Sequence, residues 1–312
     1  MKRVLVTGGA GFIGSHLVRA LLDRGDDVTI VDNFDPFYPR EIKERGLDRR
    51  ARLVEADIRD EGAIGRTFAE AKPEVVVHLA ALAGVRPSLE RPAAYMDVNV
   101  RGTAVVLDEA RKAGTRRFVL GSSSSVYGAH AEPPFKETAP IDSPESPYAA
   151  SKVASEVLAR TFHNLYGIEV AALRFFTVYG PRQRPDLAIH KFARLMTARQ
   201  SIPFFGDGSS RRDYTWVEDI VRGVLAACDV SLRYETLNLG GARTTSLEEL
   251  VKLLEAALGL EARLDRKPAQ PGDVPLTSAD VSHSARVLGY APKTPITVGI
   301  GKFVEWFRGE AR

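Results

Sequence analysis

The chain contains 312 residues, of which 44% are hydrophobic, so it can bury a large core as one large domain or two. Its 43 basic and 40 acidic residues leave a formal net charge of +3 without a basic tail, which gives no basis for nucleic-acid binding. The single cysteine, Cys228, cannot form an internal disulfide, and no apolar segment is long enough to span a membrane or to act as a secretion signal. We therefore expect a cytoplasmic protein that does not insert into a membrane.

The first strand, the loop after it and the following helix match a dinucleotide-binding pattern. Residues 4–6 predict a strand, and Gly9, Gly11 and Gly14 then match G-x-G-x-x-G ahead of an amphipathic helix. Glycines at this spacing allow a tight turn and bring main-chain N–H groups close to a pyrophosphate. A second strand ends in Asp32, whose carboxylate can accept from ribose hydroxyls and would repel a 2′-phosphate. The pattern predicts NAD as the cofactor.

Strands and helices alternate along the next hundred residues. We interpret the mixed-charge segment 40–52 as a surface excursion without chemistry. Strands are predicted at 53–56, 75–79 and 118–120, and a helix at 95–113. This alternation predicts an α/β fold with a Rossmann-type, doubly wound parallel sheet whose ligand crevice lies at the carboxyl ends of the strands. His78 is expected to be a packed strand residue, and no spacing of histidine, cysteine and carboxylates indicates a metal site.

A serine cluster and a tyrosine–lysine pair form the candidate reaction centre. The cluster, Ser122 to Ser125, follows the fifth strand, and Tyr148 and Lys152 lie four residues apart on a helix that begins near Pro147. The Lys152 ammonium would favour the phenolate of Tyr148, which makes this phenol a candidate base for oxidising an alcohol. Such pairs also arise by composition in ordinary helices, so the interpretation depends on the dinucleotide pattern upstream.

These motifs and three later ones make the chain resemble the extended short-chain dehydrogenases/reductases, and among them the NAD-dependent nucleotide-sugar 4-epimerases. The later motifs are Arg174 to Pro181, Arg212-Asp213-Tyr214 and Gln270 to Asp273. The resemblance implies an NAD-binding Rossmann domain at 1–174, to which 215–240 returns, a smaller interleaved α/β domain for a UDP-sugar at 175–214 and 241–298, and a C-terminal helix at 299–312. It also implies a homodimer that pairs through a four-helix interface including the Tyr148 helix.

The resemblance also assigns roles to individual residues. The catalytic set is Ser123, Tyr148 and Lys152. Residues expected to bind the cofactor are Gly8, Gly11, Phe12, Ile13, Gly14, Asp32, Asn33, Asp57, Ile58, Leu79, Ala80, Ala81, Asn99, Ser122, Tyr148, Lys152 and Phe175. Residues expected to bind the substrate are Arg86, Ser124, Ser125, Thr177, Arg184, Arg212, Gln270, Asp273 and Thr277. Gln270 departs from related enzymes, which often have an arginine there, and Arg211 is a candidate to replace that contact with the diphosphate.

The two positions after Ser123 discriminate among the reactions of this family. Similar 4,6-dehydratases have Asp and Glu where this chain has Ser124 and Ser125, and similar decarboxylases have a Glu in the same stretch. Because serine hydroxyls cannot act as the acid and base of an elimination, reversible oxidation and reduction at C4 through a 4-keto sugar remains. A regulator that binds a dinucleotide without catalysis is the alternative from another class, and the intact catalytic set argues against it.

Two arginine-containing segments favour UDP-glucuronate as the substrate. Segments 182–186 and 83–88 resemble those of epimerases that act on this uronate, and a guanidinium binds a sugar carboxylate in bidentate geometry. Arg184 is the first choice for this contact and Arg86 the second. Such an arginine would oppose loss of CO2 from the 4-keto intermediate, a β-keto acid. UDP-glucose or UDP-galactose is the alternative, and the modest size of Thr277 could admit an N-acetylated sugar.

Overall fold

A seven-stranded parallel sheet forms the centre of the protein in the computed structural model, which describes residues 1–129, 131–268 and 274–310. The strands in chain order are β1 (Arg3–Thr7), β2 (Asp27–Asp32), β3 (Arg52–Glu55), β4 (Val75–His78), β5 (Arg117–Ser123), β6 (Glu169–Phe175), β7 (Thr177–Tyr179), β8 (Ile202–Phe205), β9 (Arg211–Arg212), β10 (Tyr214–Trp216), β11 (Tyr234–Leu239), β12 (Thr245–Ser246) and β13 (Leu264–Lys267). Seven of them form the sheet in the order β11-β6-β5-β4-β1-β2-β3. The predicted Rossmann-type sheet is confirmed.

Helices cover both faces of this sheet. In chain order, the helices of the described residues, including those of the smaller lobe, are α1 (Phe12–Asp23), α2 (Arg40–Gly46), α3 (Glu61–Ala71), α4 (Val85–Glu90), α5 (Pro92–Tyr95), α6 (Gly102–Lys112), α7 (Pro147–Tyr166), α8 (Ala188–Thr197), α9 (Val217–Asp229), α10 (Leu247–Leu258), α11 (Ser282–Leu288) and α12 (Ile296–Glu310). A π-helical turn, Met96–Arg101, joins α5 to α6, and a 3-10 turn, Ser124–Tyr127, follows β5.

The central strands are apolar on both sides because two layers of helices bury them. Residues 4–6, 75–77 and 118–120 are all buried and consist of valine, leucine and phenylalanine, as is typical of parallel strands. On one face α1 and α9 pack against the sheet, and on the other α3, α6 and α7 do so. The continuous apolar runs in the sequence therefore reflect burial on two faces rather than on one.

Helix α7 positions the tyrosine–lysine pair, and its ends follow from local chemistry. The Ser146 side chain accepts a hydrogen bond from the main-chain N of Ala149 at 3.1 Å, and Pro147 occupies the first turn. The helix ends at Gly167, whose φ of 72° suits a residue without a side chain. The predicted helix is present with these bounds.

A second, smaller lobe lies beside the sheet. Its strands form two-stranded pairs, β10 with β7, β12 with β9, and β13 with β8. Its core contains Trp216, Phe204, Leu254 and Phe303, from β10, β8, α10 and α12. This lobe is built from segments on either side of β11, which itself lies in the large sheet. The exact residue bounds of the two domains stay a prediction.

A buried carboxylate connects the two lobes. Asp213 accepts hydrogen bonds from the main-chain N of Gly241 at 2.6 Å, from those of Ala242 and Ala279 at 3.1 Å, and from the Thr215 hydroxyl at 3.1 Å. Since Gly241 follows the sheet strand β11 and Asp213 lies between β9 and β10, these bonds hold the smaller lobe against the sheet.

His78 is packed inside the sheet, as the sequence predicts. Its two ring nitrogens lie 2.7 Å from the Thr7 hydroxyl and 2.9 Å from the Thr103 hydroxyl, and burial lowers its pKa to about 3. The histidine is therefore neutral and structural. Among the described residues no group of three or more histidine, cysteine and carboxylate side chains could hold a metal ion, and no helix is long and apolar enough to cross a membrane.

Candidate active site

A cavity of about 780 Å³ opens at the carboxyl ends of the sheet strands and extends to the smaller lobe. Its walls bring together most of the residues that the sequence predicts for the site. They are Gly8, Gly11, Phe12, Ile13, Gly14, Asp32, Asn33, Asp57, Ile58, Leu79, Ala80, Ala81, Ser122, Ser123, Ser124, Ser125, Tyr148, Lys152, Phe175, Thr177, Arg184, Arg212 and Thr277. One continuous cavity therefore joins the predicted cofactor and substrate residues.

Some predicted site residues lie elsewhere. Arg86 does not line the cavity, because its guanidinium lies over the Phe205 ring, 5.4 Å from the centroid. Arg211 is also off the cavity wall and bonds Thr244 and Glu249. Gln270 and Asp273 lie outside the described residues.

Asn99 is buried behind the cavity wall rather than on it. Its side-chain oxygen accepts from the main-chain N of Leu82 at 2.8 Å, and its amide donates to the Leu82 carbonyl at 3.0 Å and to Ser151 at 2.9 Å. Leu82 belongs to the loop after β4 that lines the cavity. Asn99 therefore fixes this loop instead of lining the cavity, and its role toward the cofactor stays a prediction.

The glycine turn between β1 and α1 packs closely on itself and against the loop after β4 only because Gly8 and Gly14 lack side chains. Gly8 has a φ of +71°, and a Cβ there would lie 2.7 Å from the main-chain N of Ala80. A Cβ on Gly14 would overlap the Gly8 carbonyl oxygen. The turn therefore exposes the N-terminus of α1, where main-chain N–H groups and the helix dipole favour a bound phosphate.

Asp32, the residue predicted to bind ribose hydroxyls, lies at the end of β2 and lines the cavity. Its two carboxylate oxygens accept from the main-chain N of Ala10 at 3.0 Å and of Phe34 at 2.9 Å. Each oxygen keeps a lone pair for a further donor. Burial raises the pKa of Asp32, and the two main-chain hydrogen bonds and the charge of Lys43 oppose that rise.

Lys43 is a cavity residue that the sequence interpretation missed. It is buried, its ammonium donates to the Asp35 carbonyl at 2.6 Å, and it lies 4.6 Å from the centroid of the Tyr38 ring. Burial lowers the pKa of Lys43, while the charge of Asp32 opposes this. The interpretation of segment 40–52 as a surface excursion is wrong at this residue, because Lys43 is buried at the cavity wall. The neighbouring aromatic residues Phe37 and Tyr38 were the only sequence signal for its burial.

Tyr148 and Ser123 meet at the centre of the cavity. Their side chains are hydrogen-bonded, and Ser123 also accepts from the main-chain N of Ser125 at 3.2 Å and from its hydroxyl at 3.0 Å. The Tyr95 ring packs edge-on against Tyr148, with 6.2 Å between the centroids, and its hydroxyl donates to the Ala83 carbonyl. The phenol and the serine are thus held by groups from three different segments.

Arg184 brings a positive charge near Tyr148. Burial raises the pKa of Tyr148, whereas the hydrogen bond with Ser123 and the charge of Arg184 lower it. The sequence assigned such an effect to Lys152, and this stays a prediction; the Lys152 ammonium donates to the Gly121 carbonyl at 2.7 Å. Burial lowers the pKa of Lys152 to about 8, and Glu156 opposes this.

Arg184 approaches the site from the smaller lobe. Its Nε and Nη2 donate to the Asp186 carboxylate at 3.0 and 2.8 Å, and its guanidinium lies 5.0 Å from the centroid of Phe37. Only 16% of the Arg184 side chain is exposed, against 41% of that of Asp186. A second carboxylate can therefore reach the guanidinium while water is largely excluded from it.

Comparisons with known proteins agree with this geometry. Residues 4–240 match the model of the NAD dependent epimerase/dehydratase family. The chain belongs to this family. It is 38% identical to UDP-glucuronate 4-epimerase of Thermodesulfobacterium geofontis over 98% of this chain and 96% of that one.

Two solved structures are similar over nearly their whole length. UDP-glucose 4-epimerase from Thermotoga maritima, with UDP-glucose, is 35% identical, has a TM-score of 0.93 and is matched over 99% of both chains. UDP-glucuronic acid 4-epimerase from Bacillus cereus, in complex with UDP-glucuronic acid and NAD, is 32% identical, with a TM-score of 0.92 over 98% of this chain and 99% of that one. The glycine turn and Asp32 fit a dinucleotide, so NAD is the cofactor of the chain.

Replacing Lys43 by methionine is expected to weaken NAD binding about tenfold, because it removes the positive charge that Lys43 places on the cavity wall near Asp32. The loss of its charge also raises the pKa of Asp32 further, which makes that carboxylate a poorer acceptor. Titration of the purified protein with NAD by calorimetry measures the dissociation constant. Lys252→Met, which removes an exposed lysine on α10, is the control, and equal affinities for the two variants would contradict the assignment.

Proposed function

We propose that the protein is an NAD-dependent epimerase that inverts C4 of a UDP-sugar, with UDP-glucuronate as the preferred substrate and UDP-galacturonate as the product. The observation that carries the proposal is the meeting of Ser123, Tyr148 and Lys152 with the dinucleotide turn on one side and Arg184 on the other. A cofactor that is reoxidised within each turnover does not need to leave. This suits a single cavity lined by the residues predicted to bind the cofactor and the sugar nucleotide.

The residues of the cavity divide the work of holding the ligands. The N-terminus of α1 and Asp32 would hold the pyrophosphate and the adenosine ribose of NAD, and Lys152 would hold the nicotinamide ribose. Held there, NAD supplies an acceptor and donor of hydride within one catalytic cycle. Thr177 and Arg212, on β7 and β9, hold the nucleotide diphosphate of the sugar, and Asp273 is proposed to assist them.

Tyr148 handles the proton of the reaction. As phenolate it takes the proton of the 4-hydroxyl, and it returns that proton after hydride has been delivered to the opposite face of the 4-keto sugar. Ser123 accepts from Ser125, which leaves its own hydrogen to donate to the sugar oxygen as this becomes a carbonyl. Between the two hydride transfers the sugar turns over about its diphosphate linkage, which the smaller lobe holds in place.

Arg184 favours a uronate as the substrate. Its guanidinium can bind the C6 carboxylate of the uronate. It would do so either beside Asp186 or in place of this partly exposed partner. A carboxylate held as an ion loses CO2 less readily from the β-keto acid stage. The complex of the Bacillus cereus relative with UDP-glucuronic acid supports this choice.

UDP-glucose or UDP-galactose is the second candidate, and one contact favours it. Because Arg184 already pairs with Asp186 in a bidentate manner, a neutral sugar would leave that ion pair intact. The Thermotoga maritima relative is solved with UDP-glucose. Thr277, buried at the cavity wall, is the residue that we propose limits bulk at C2 and could admit an N-acetyl group.

Tyr148→Phe should lower kcat by about a thousandfold or more, since it removes the proposed base and its proton. NAD binding should persist, because the ring and its contact with Tyr95 remain. Conversion of UDP-glucuronate, followed by chromatography of the two UDP-uronates, measures the effect. Full turnover by the variant would exclude the phenol as base. A wild-type protein that binds NAD but converts neither uronate nor glucose would instead favour a non-catalytic dinucleotide sensor.

Arg184→Ala should lower kcat/KM for UDP-glucuronate by about a hundredfold and for UDP-glucose by only a few-fold, because only the uronate loses a charge-assisted contact. Released pentose nucleotide, the product of CO2 loss, should rise with the uronate. Arg86→Ala is the matched control, since that arginine lies on Phe205 outside the cavity. Equal losses of kcat/KM for UDP-glucuronate and UDP-glucose would contradict a contact between Arg184 and the sugar carboxylate.

We also propose that the protein is a homodimer that pairs through α7. Val157, Leu165 and Tyr166 on this helix are 57%, 66% and 51% exposed, and Val157 and Leu165 lie on one helical face. A second copy would cover these side chains.

The buried free thiol of Cys228 supports a reducing, cytoplasmic location.

Leu165→Glu should convert the dimer to a monomer, because it places two charges in an apolar contact. Light scattering coupled to gel filtration would then report the chain mass of 34.1 kDa rather than twice that value. Val298→Glu, on α12 and 49% exposed, is the control. A wild-type protein that elutes as a monomer would overturn the proposal.

A further inference from the structure

An ion pair between Glu156 and Arg174 is buried directly behind the active site. Each side chain is only 4% exposed, and Arg174 donates to the two carboxylate oxygens at 3.0 and 2.8 Å. Glu156 also accepts from the Ser122 hydroxyl at 2.5 Å. The carboxylate is thus shared by a strand residue on β5 and a guanidinium on β6.

The position of this carboxylate links it to the reaction centre. Glu156 lies one helical turn after Lys152 on α7, so the two side chains are neighbours on the helix surface. Ser122 immediately precedes Ser123, and Arg174 is its partner in the pairing of β5 with β6. Glu156 therefore joins the helix of Tyr148 and Lys152 to the strand end of Ser123.

Stability alone does not account for the pair. Removing two charges from water costs several kcal/mol per ion, and a well-packed apolar pair of similar volume is often as stable. The guanidinium is fixed further by the Tyr127 ring, 4.7 Å away, whose hydroxyl donates to Asn238 at 2.6 Å. Such a fully bonded arrangement has one geometry, which is what a reaction centre needs from its support.

We infer that Glu156 is a positioning residue for the epimerisation: its carboxylate fixes Lys152 relative to Ser123 and supplies the negative charge beside the Lys152 ammonium. This inference rests on the proposed function. Glu156 touches neither substrate nor cofactor and acts through Lys152 and Ser122.

The charges around Lys152 predict the sign of the effect. Glu156 on α7 and His78 on β4 face Lys152, Tyr148 precedes it by one turn, and Arg174 lies beyond Glu156. His78 is neutral, because burial lowers its pKa to about 3. Burial lowers the pKa of Lys152 to about 8 and Glu156 opposes this, so removal of Glu156 lowers it further.

Glu156→Gln should move the alkaline limb of the kcat–pH profile of UDP-glucuronate conversion about one pH unit toward acid, with KM changed less than about twofold. Glu156→Asp keeps the negative charge but shortens the side chain that bonds Ser122 and Arg174. Its alkaline limb should therefore stay near that of the wild type, while kcat falls. Glu169→Gln is the matched control. Glu169 pairs with Arg117 at 2.9 Å at the opposite end of the same two strands, so its loss should not move the limb.

A second measurement does not depend on turnover. Because the folded-state pKa of Lys152 is below its ordinary value, the wild type gains stability as pH rises through about 8, and Glu156→Gln should gain it at lower pH. The stability difference between the variant and the wild type should therefore narrow as pH rises from about 7 to about 8. Urea unfolding at several pH values measures it, and Glu169→Gln should show no such narrowing.

A pH profile and a stability difference for Glu156→Gln that match those of Glu169→Gln would overturn the inference. If Glu156→Gln does not fold, Glu156→Gln/Arg174→Met removes both charges and should still show the acid shift, and a wild-type limb in that variant also overturns it. Should the wild type convert no UDP-sugar, the proposed function fails, while the unfolding measurement still decides whether Glu156 acts on Lys152.

Discussion

The close approach of the glycine turn to the loop after β4 is the constraint on which the rest of the site depends. A side chain at Gly8 would collide with the backbone of Ala80, and one at Gly14 with the carbonyl of Gly8. Without that approach, the N-terminus of α1 could not face the cavity, and Asp32 could not stand beside it. The same loop, fixed by Asn99 through Leu82, also accepts a hydrogen bond from Tyr95, whose ring packs against Tyr148. Dinucleotide binding and sugar chemistry therefore share one wall.

Polar contacts hold the helix and the strand that carry the proposed catalytic groups. Lys152 bonds the carbonyl of Gly121, and Ser122 on the same strand bonds Glu156 on the same helix as Lys152. These bonds set the distance between α7 and β5 from two positions one turn apart. Arg184 enters from the other lobe, held by Asp186, and its charge reaches Tyr148. The hydrogen bonds of Asp213 hold the two lobes together, so Arg184 and Tyr148 line one cavity.

The sequence predicted those parts of the fold and site that follow from local patterns. Glycine spacing with Asp32 predicts a cofactor site because the turn needs specific residues, and apolar runs such as residues 75–77 predict buried parallel strands. The Tyr148 helix was readable from its prolines and its terminal glycine. The burial of Lys43 was harder to predict, because a mixed-charge segment is typical of the surface and only the nearby aromatic residues Phe37 and Tyr38 indicated otherwise. The positions of Arg86 and Arg211 outside the cavity could not be predicted either, because their partners Phe205 and Glu249 are distant in sequence. The effect of the Arg184 charge on the pKa of Tyr148 was also not readable, because it depends on how the smaller lobe faces the sheet.

The central claim is that the same hydrogen leaves C4 and returns to it within one bound complex. Incubation of the protein with UDP-glucuronate deuterated at C4, in ordinary water and without added NADH, tests this most directly. The account predicts that the product UDP-galacturonate retains the deuterium at C4, as read by NMR and mass spectrometry. Loss of the label to water, or transfer of it to NAD that leaves the protein, would contradict the account.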